Sequence, residues 1–294
     1  MLGIILMVVT LIWLIFASIS DLKTTEIPDW LSFSLLAFAS LIVILNAITT
    51  KSVIPIIIGG ASFLVVFVIA LIMYKTRQWG GGDAKLIMAL GVVFSQYPTD
   101  LLTWFLPTLD LPFFVGTFFV NVLIAGLVYS LFMSVGLAIK HKKRFIKEMK
   151  KRMGTARKIR LLLGGVSVLI ILGWFVSQNL PLLVVGITFA LLYLFCYLFL
   201  FLKAVEASCM IVAIPPSKLQ EGDWILQTIK KGKKILYNKQ SLGVTKQEIQ
   251  LLKQNKIKSI IIKKGIPFVP SFLIAAIMSW VFGDVLTLVL RIFI

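Results

Sequence analysis

The chain has 294 residues, of which 59% are hydrophobic, and its mean hydropathy is +1.00. Soluble globular domains use roughly 45–50% apolar residues, so this composition excludes them and indicates a membrane protein. The net charge of +18 comes from Lys and Arg concentrated in particular loops, a distribution typical of membrane topology and not of nucleic-acid binding. One histidine and two cysteines argue against a serine-histidine triad, a multi-histidine metal site and a disulfide framework.

Apolar runs of membrane-spanning length follow one another along the whole chain. About 20 apolar residues are needed to cross the hydrocarbon core as a helix. The runs are continuous and do not alternate with polar residues, which favours helices over a β-barrel. The predicted spans are residues 2–18, 30–46, 53–74, 83–95, 113–139, 161–176, 182–202 and 267–293. The fold class is therefore an all-α polytopic membrane protein with about eight transmembrane helices.

One polar stretch, residues 203–265, breaks the apolar composition and predicts a small cytoplasmic α+β module. Its predicted elements are a strand beginning near Trp224, a hairpin turn at residues 230–234, a return strand at 235–237, a helix opened by Thr245, and a strand at 259–262. The chain then divides into a membrane core (1–202), this module (203–265) and a C-terminal transmembrane helix (266–294).

The loop charges predict an orientation in the cytoplasmic membrane. The loops after the first, third, fifth and seventh runs hold nearly all the Lys and Arg residues, whereas the other loops hold only Lys51. Residues 140–160 alone contain eleven basic residues, with a spacing that allows an amphipathic helix. By the positive-inside rule these loops face the cytoplasm, and the amino terminus lies outside.

The segment Gly80-Gly81-Gly82-Asp83 lies between two apolar runs. A carboxylate at the centre of a membrane helix costs roughly 2.5–3.5 kcal/mol, so an acid in such a place indicates a function. The three glycines remove the side chains that would keep another backbone away. A helix that begins near Asp83 offers free N–H groups and a dipole that favour the ionised carboxylate.

Asp21 lies at the end of the first run, on the same predicted membrane face as Asp83. Two neighbouring carboxylates cannot both ionise easily, so one can deprotonate water while the other, protonated, polarises a carbonyl. That is aspartic peptidase chemistry, and the helix start favours Asp83 as the more acidic member. Each acid alone is also compatible with a helix cap or a solvated residue. Glu26 and Asp29, close behind Asp21, could attract a basic substrate segment.

Two motifs carry a resemblance to a known family: Asp21 followed after five residues by Ile27-Pro28-Asp29, and Gly80-x-Gly82-Asp83 behind the third run. Together they resemble the type IV prepilin peptidases, and more closely the archaeal preflagellin and prepilin peptidases. The resemblance implies that Asp21 and Asp83 are the catalytic pair. Seven further residues would form the loops along which substrate approaches: Glu26, Ile27, Pro28, Asp29, Gly80, Gly81 and Gly82. Many members carry Asn where this chain has Asp29.

The resemblance also implies the substrates, which are pilin or archaellin precursors with a short basic leader ahead of a long apolar helix. Cleavage at that junction takes place on the cytoplasmic face, beside the lipid bilayer. Bacterial relatives also methylate the new amino terminus with a domain that contains paired CxxC motifs. This sequence has no such motif, so we expect no methyltransferase activity, no metal and no cofactor.

Two other functions are compatible with acids in membrane helices. Presenilin-like and signal-peptide-peptidase-like proteases also use GxGD, but their Pro-Ala-Leu and Tyr-Asp motifs are absent from this sequence. An ion-coupled or proton-coupled transporter would use carboxylates and broken helices. The glycine-aspartate feature is not repeated in the second half of the chain, which argues against a transporter.

Overall fold

A computed structural model describes residues 1–231, 234–255 and 257–293. Most of these residues are helical, and six of the described helices are long and apolar enough to cross a membrane. These six are α1 (Leu2–Thr24), α2 (Asp29–Thr49), α3 (Ile54–Lys75), α5 (Phe114–Lys140), α7 (Arg157–Ser177) and α8 (Leu180–Val205). The multi-pass helical membrane fold predicted from the sequence is thereby confirmed.

Two of the eight predicted spans correspond to helices that are too short to cross the hydrocarbon core on their own. Helices α4 (Gly81–Val93) and α10 (Val269–Val281) have 13 residues each. At 1.5 Å per residue such a helix is about 20 Å long, against a hydrocarbon core of about 30 Å. The last predicted run divides at Gly283 into α10 and α11 (Val285–Phe293). Within the described residues, the eight predicted spans therefore correspond to six long helices, the short helix α4, and the two short helices α10 and α11.

The described residues form two compact units, and the first contains residues 1–131, 240–245 and 265–294. Helix α4 lies at the centre of its core, where Leu86, Ile87 and Leu90 are fully buried. A Cβ at Gly91 would come within 2.9 Å of the Val66 side chain, so this glycine lets α4 and α3 approach closely. The short helix is thus the apolar centre around which α2 and α3 pack.

The joint between α10 and α11 is fixed by a glycine and by buried polar groups. Gly283 has a φ of 74°, and the neighbouring Asp284 donates its N–H to the Thr108 carbonyl at 2.7 Å. The buried Asn121 amide of α5 donates to Ser279 Oγ at 2.9 Å and to the Gly283 carbonyl at 2.8 Å. These bonds satisfy backbone groups that the break in the helix would otherwise leave unpaired.

The second compact unit contains residues 132–239 and 246–264. Its strands are β1 (Ile211–Ile214), β2 (Trp224–Ile225), β3 (Ile229–Lys231), β4 (Lys234–Tyr237) and β5 (Ile260–Lys263), and its small helix is α9 (Lys246–Gln254). Strands β1, β5 and β2 form an antiparallel sheet in that order, and β3 pairs with β4. The predicted α+β elements are confirmed, except that β1 was not predicted and the hairpin residues Gly232 and Lys233 lie outside the described residues.

The basic stretch between α5 and α7 is helical, as its spacing predicted. Helix α6 (Lys142–Thr155) begins after His141, whose φ of −112° departs from helical geometry. None of its residues is buried, and Arg152 pairs with Glu148 one turn away at 2.9 Å. Exposed basic residues on such a helix suit the surface of an anionic membrane.

Candidate active site

Asp21 lies in the last turn of α1 and is buried, with 5% of its surface exposed. Its Oδ2 accepts a hydrogen bond from the backbone N–H of Val269, the first residue of α10, at 2.9 Å. Helices α1 and α10 pack against each other. The first N–H groups of a helix have no partner within the helix, and they carry the positive end of its dipole. The start of α10 therefore stabilises the ionised form of the Asp21 carboxylate.

Asp83 lies in the first turn of α4, directly after the glycine-rich segment. Its Oδ2 accepts the backbone N–H of Gly80 at 3.1 Å, so the carboxylate closes the turn that begins the helix. Gly80 itself has an extended conformation, with φ −70° and ψ 164°. The helix start predicted at Asp83 is thus found two residues earlier, with Asp83 as its capping acid.

The elements that carry the two carboxylates pack together, although 62 residues separate Asp21 from Asp83 along the chain. The indole of Trp79, which precedes the glycines, packs against the rings of Phe268 and Phe272 at centroid distances of 6.2 and 6.0 Å. Since Phe268 directly precedes the residue that binds Asp21, the same aromatic cluster positions the elements that hold both acids.

The loop between α1 and α2 packs against the glycines. Thr25 adopts the left-handed region with φ 57°, and the Ser20 hydroxyl donates to the Glu26 carbonyl at 2.9 Å. Ile27 is buried, and a Cβ added to Gly82 would come within 3.1 Å of the Ile27 Cβ. Gly82 therefore permits the close approach of α4 to this loop, as the sequence predicted for a glycine at this place.

Pro28, Asp29 and Gly81 are also among the residues expected to line the approach of the substrate. Pro28 caps the start of α2, and the exposed Asp29 carboxylate pairs with Lys85 of α4 at 2.6 Å. Gly81 is more open, because a Cβ there would lie 3.8 Å from the Tyr74 ring. An exposed ion pair contributes at most about 1 kcal/mol, so the pair of Asp29 and Lys85 can exchange with other charges at low cost.

The contact between Asp21 and α10 has no signal in the sequence. The donor is a backbone N–H of a valine in a C-terminal apolar run, and no side-chain pattern distinguishes it from its neighbours. No group of three or more His, Cys, Asp or Glu side chains within the described ranges is arranged to hold a metal ion.

Comparison with known proteins gives a match over the region that contains both acids. Residues 8–137 match the model of the type IV leader peptidase family. Preflagellin peptidase of Methanococcus maripaludis is 29% identical over 120 residues, which are 41% of this chain and 51% of that protein. Preflagellin peptidase of Methanocaldococcus jannaschii is 27% identical over 169 residues, 53% of this chain and 72% of that protein.

A third relative, preflagellin peptidase of Methanococcus voltae, is 28% identical over 139 residues, 45% of this chain and 59% of that protein. The chain thus spans between about half and about seven tenths of the length of these relatives. No solved structure matches the chain significantly.

Proposed function

We propose that the chain is an aspartic endopeptidase of the type IV leader peptidase family, whose model matches residues 8–137, and that it removes the leader from pilin-like or archaellin precursors. The observation that carries this proposal is that packing brings together the elements that hold Asp21 and Asp83: α10 binds Asp21, and its neighbour Phe268 packs against Trp79 before the glycines of α4. Both acids lie inside the matched region. The archaeal relatives are named as preflagellin peptidases, which supports a precursor of this kind as the substrate.

The reaction needs no covalent intermediate and no cofactor. The ionised carboxylate of the pair takes a proton from water as the water oxygen attacks the scissile carbonyl, while the protonated carboxyl donates its hydrogen bond to the carbonyl oxygen. Collapse of the tetrahedral intermediate breaks the C–N bond, and a proton passes to the leaving amine. The pair is then restored with one shared proton, so its two apparent pKa values belong to the pair and not to either residue.

The position of the pair suits a substrate with a basic leader and an apolar helix. We place the site at the cytoplasmic face and the amino terminus outside, on the strength of the loop charges. The apolar part of the precursor can lie among the membrane helices while the leader stays near Glu26 and Asp29. Lys85 can leave Asp29 when a substrate lysine or arginine arrives, because the ion pair between them is exposed.

The test is cleavage of a synthetic precursor by the full chain in liposomes, with the product identified by mass spectrometry. We expect one cut at the junction of the leader and the apolar helix. Moving that junction about two helical turns deeper into the apolar segment should abolish the cut, because the proposed site lies at the membrane edge. Continued cleavage of the deeper bond would support an intramembrane protease of the presenilin kind. If no precursor is cut and proton flux depends on Asp83, the peptidase proposal is wrong and a transporter is favoured.

Gly82→Ala is expected to lower cleavage about tenfold without unfolding the chain. The added methyl group would meet Ile27 at 3.1 Å and displace the start of α4, and a misplacement of about 1 Å can cost a large part of a catalytic rate. The matched control is Gly81→Ala, where the nearest atom lies 3.8 Å away. Cleavage rates and melting temperatures of both variants check the prediction. Equal rates in the two variants would contradict it.

A further inference from the structure

One face of α5 lines the same aromatic cluster that positions the two acids. The Phe119 ring packs against Trp79 at a centroid distance of 6.4 Å. Two turns further, a Cβ on Gly126 would come within 2.6 Å of the Phe268 ring, so α5 passes close to the residue before α10. Residues three apart lie on the same side of a helix, and this face therefore continues from Gly126 to Tyr129.

Tyr129 places a polar group on this otherwise apolar face. Its hydroxyl oxygen is buried and has no hydrogen-bond partner within the part of the chain that the structure describes. Tyr129 lies one helical turn from Gly126, which is next to Phe268. Phe268 directly precedes the Val269 that binds Asp21. A buried tyrosine hydroxyl ordinarily has a partner, because burial removes its hydrogen bonds to water. The Tyr129 hydroxyl is therefore a donor that the described contacts leave unused.

The groups around Asp21 leave its carboxylate able to accept a further hydrogen bond. Helix α10 contributes the Val269 N–H to Oδ2 and carries no titratable side chain. Helix α4 contributes Asp83, and the charged residue of α2, Asp29, is paired with Lys85. A carboxylate accepts several hydrogen bonds, so Oδ1 of Asp21 can take another donor.

We propose that Tyr129 is a positioning residue of the active site, whose hydroxyl donates a hydrogen bond to Asp21 when the precursor is bound. The inference rests on the proposed function and deepens it. With the Val269 N–H and the tyrosine hydroxyl both directed at Asp21, the ionised member of the pair is Asp21, which takes the proton from water. Asp83 is then the protonated acid. This assignment is the opposite of the one that the start of α4 alone favours, in which Asp83 is the more acidic member.

The test compares Tyr129→Phe with the wild type in liposomes, using the same synthetic precursor between about pH 5 and pH 9. A hydrogen bond to a charged group stabilises that charge, so its loss should lower kcat near neutral pH about tenfold. The acidic limb of the pH profile should move upward by about one pH unit, since the pair then protonates more readily.

The matched control is Tyr97→Phe, which removes a hydroxyl that donates to the Trp280 carbonyl at 2.9 Å. It should lower the melting temperature and leave the shape of the pH profile unchanged. If Tyr129→Phe does not fold, a fluorinated tyrosine at position 129, of similar size but a stronger donor, should move the acidic limb downward. If the folded Tyr129→Phe variant has the pH profile of the wild type, the proposed role of Tyr129 is wrong, but the proposed peptidase function is unaffected. Cleavage by an Asp21→Asn variant would instead overturn the proposed function.

Discussion

Replacing Asp21 or Asp83 by asparagine is expected to abolish cleavage of a pilin-like precursor, with kcat reduced by about a thousandfold or more. Asparagine keeps the size of the side chain but can neither take a proton from water nor share one with its neighbour. Each single variant removes the pair as a unit, so the double variant should be no slower than either single one. The measurement is the turnover of a synthetic precursor in liposomes by each of the two single variants and by the double variant.

The control for this experiment is Asp110→Asn. Asp110 pairs with Arg291 at 2.9 Å, away from both acids, and its side chain is about one third exposed. The same change from carboxylate to amide should leave cleavage within about twofold, because an exposed ion pair contributes at most about 1 kcal/mol. If Asp21→Asn or Asp83→Asn retains more than a tenth of the wild-type rate, the proposed mechanism fails.

Gly283→Ala is expected to destabilise the first compact unit by about 3 kcal/mol, the largest effect on stability that we predict for a single methyl group. The φ of 74° is unfavourable for any residue with a Cβ. The new methyl group would also collide with the Thr108 carbonyl and lie 2.7 Å from the Thr108 nitrogen. The Asn121 bond to the Gly283 carbonyl prevents the backbone from moving aside without further loss.

Thermal unfolding in detergent, followed by circular dichroism, checks this value. Gly60→Ala is the control, since Gly60 lies within α3 and has no neighbouring atom within 4 Å of an added Cβ. That variant should be as stable as the wild type or gain up to about 1 kcal/mol from helix propensity. If Gly283→Ala melts at the same temperature as Gly60→Ala, the prediction is wrong, because the connection between α10 and α11 then accommodates the methyl group without loss of stability.

The parts of this molecule that depend on local composition were predictable from the sequence. Long apolar runs have a length that matches the bilayer, and they appear as α1, α2, α3, α5, α7 and α8. The pairing of Asp21 with Asp83 stays a prediction, which rests on the loop charges and the two motifs. The glycine beside Asp83 was expected to permit a close approach, and Ile27 is the residue that approaches it.

The parts that depend on distant packing were not predictable. The sequence indicated that Gly283-Asp284 interrupts the last apolar run, but not that Gly283 adopts a φ of 74° and divides the run into two short helices. Asp29 was expected to face a substrate, but its partner in the structure is Lys85, which lies 56 residues away. The roles of Val269 and Tyr129 also escape the sequence, because a backbone N–H and a lone tyrosine in an apolar helix carry no local pattern.

The hydrogen bond from Val269 to Asp21 has a consequence for biosynthesis, since 248 residues separate its two ends. A ribosome that has released only α1 to α5 has already made both acids, but not the donor that holds one of them. The site is completed only when residue 269 has emerged and been inserted. The hydrogen bond between Asp21 and Val269 can therefore form only when translation is nearly finished.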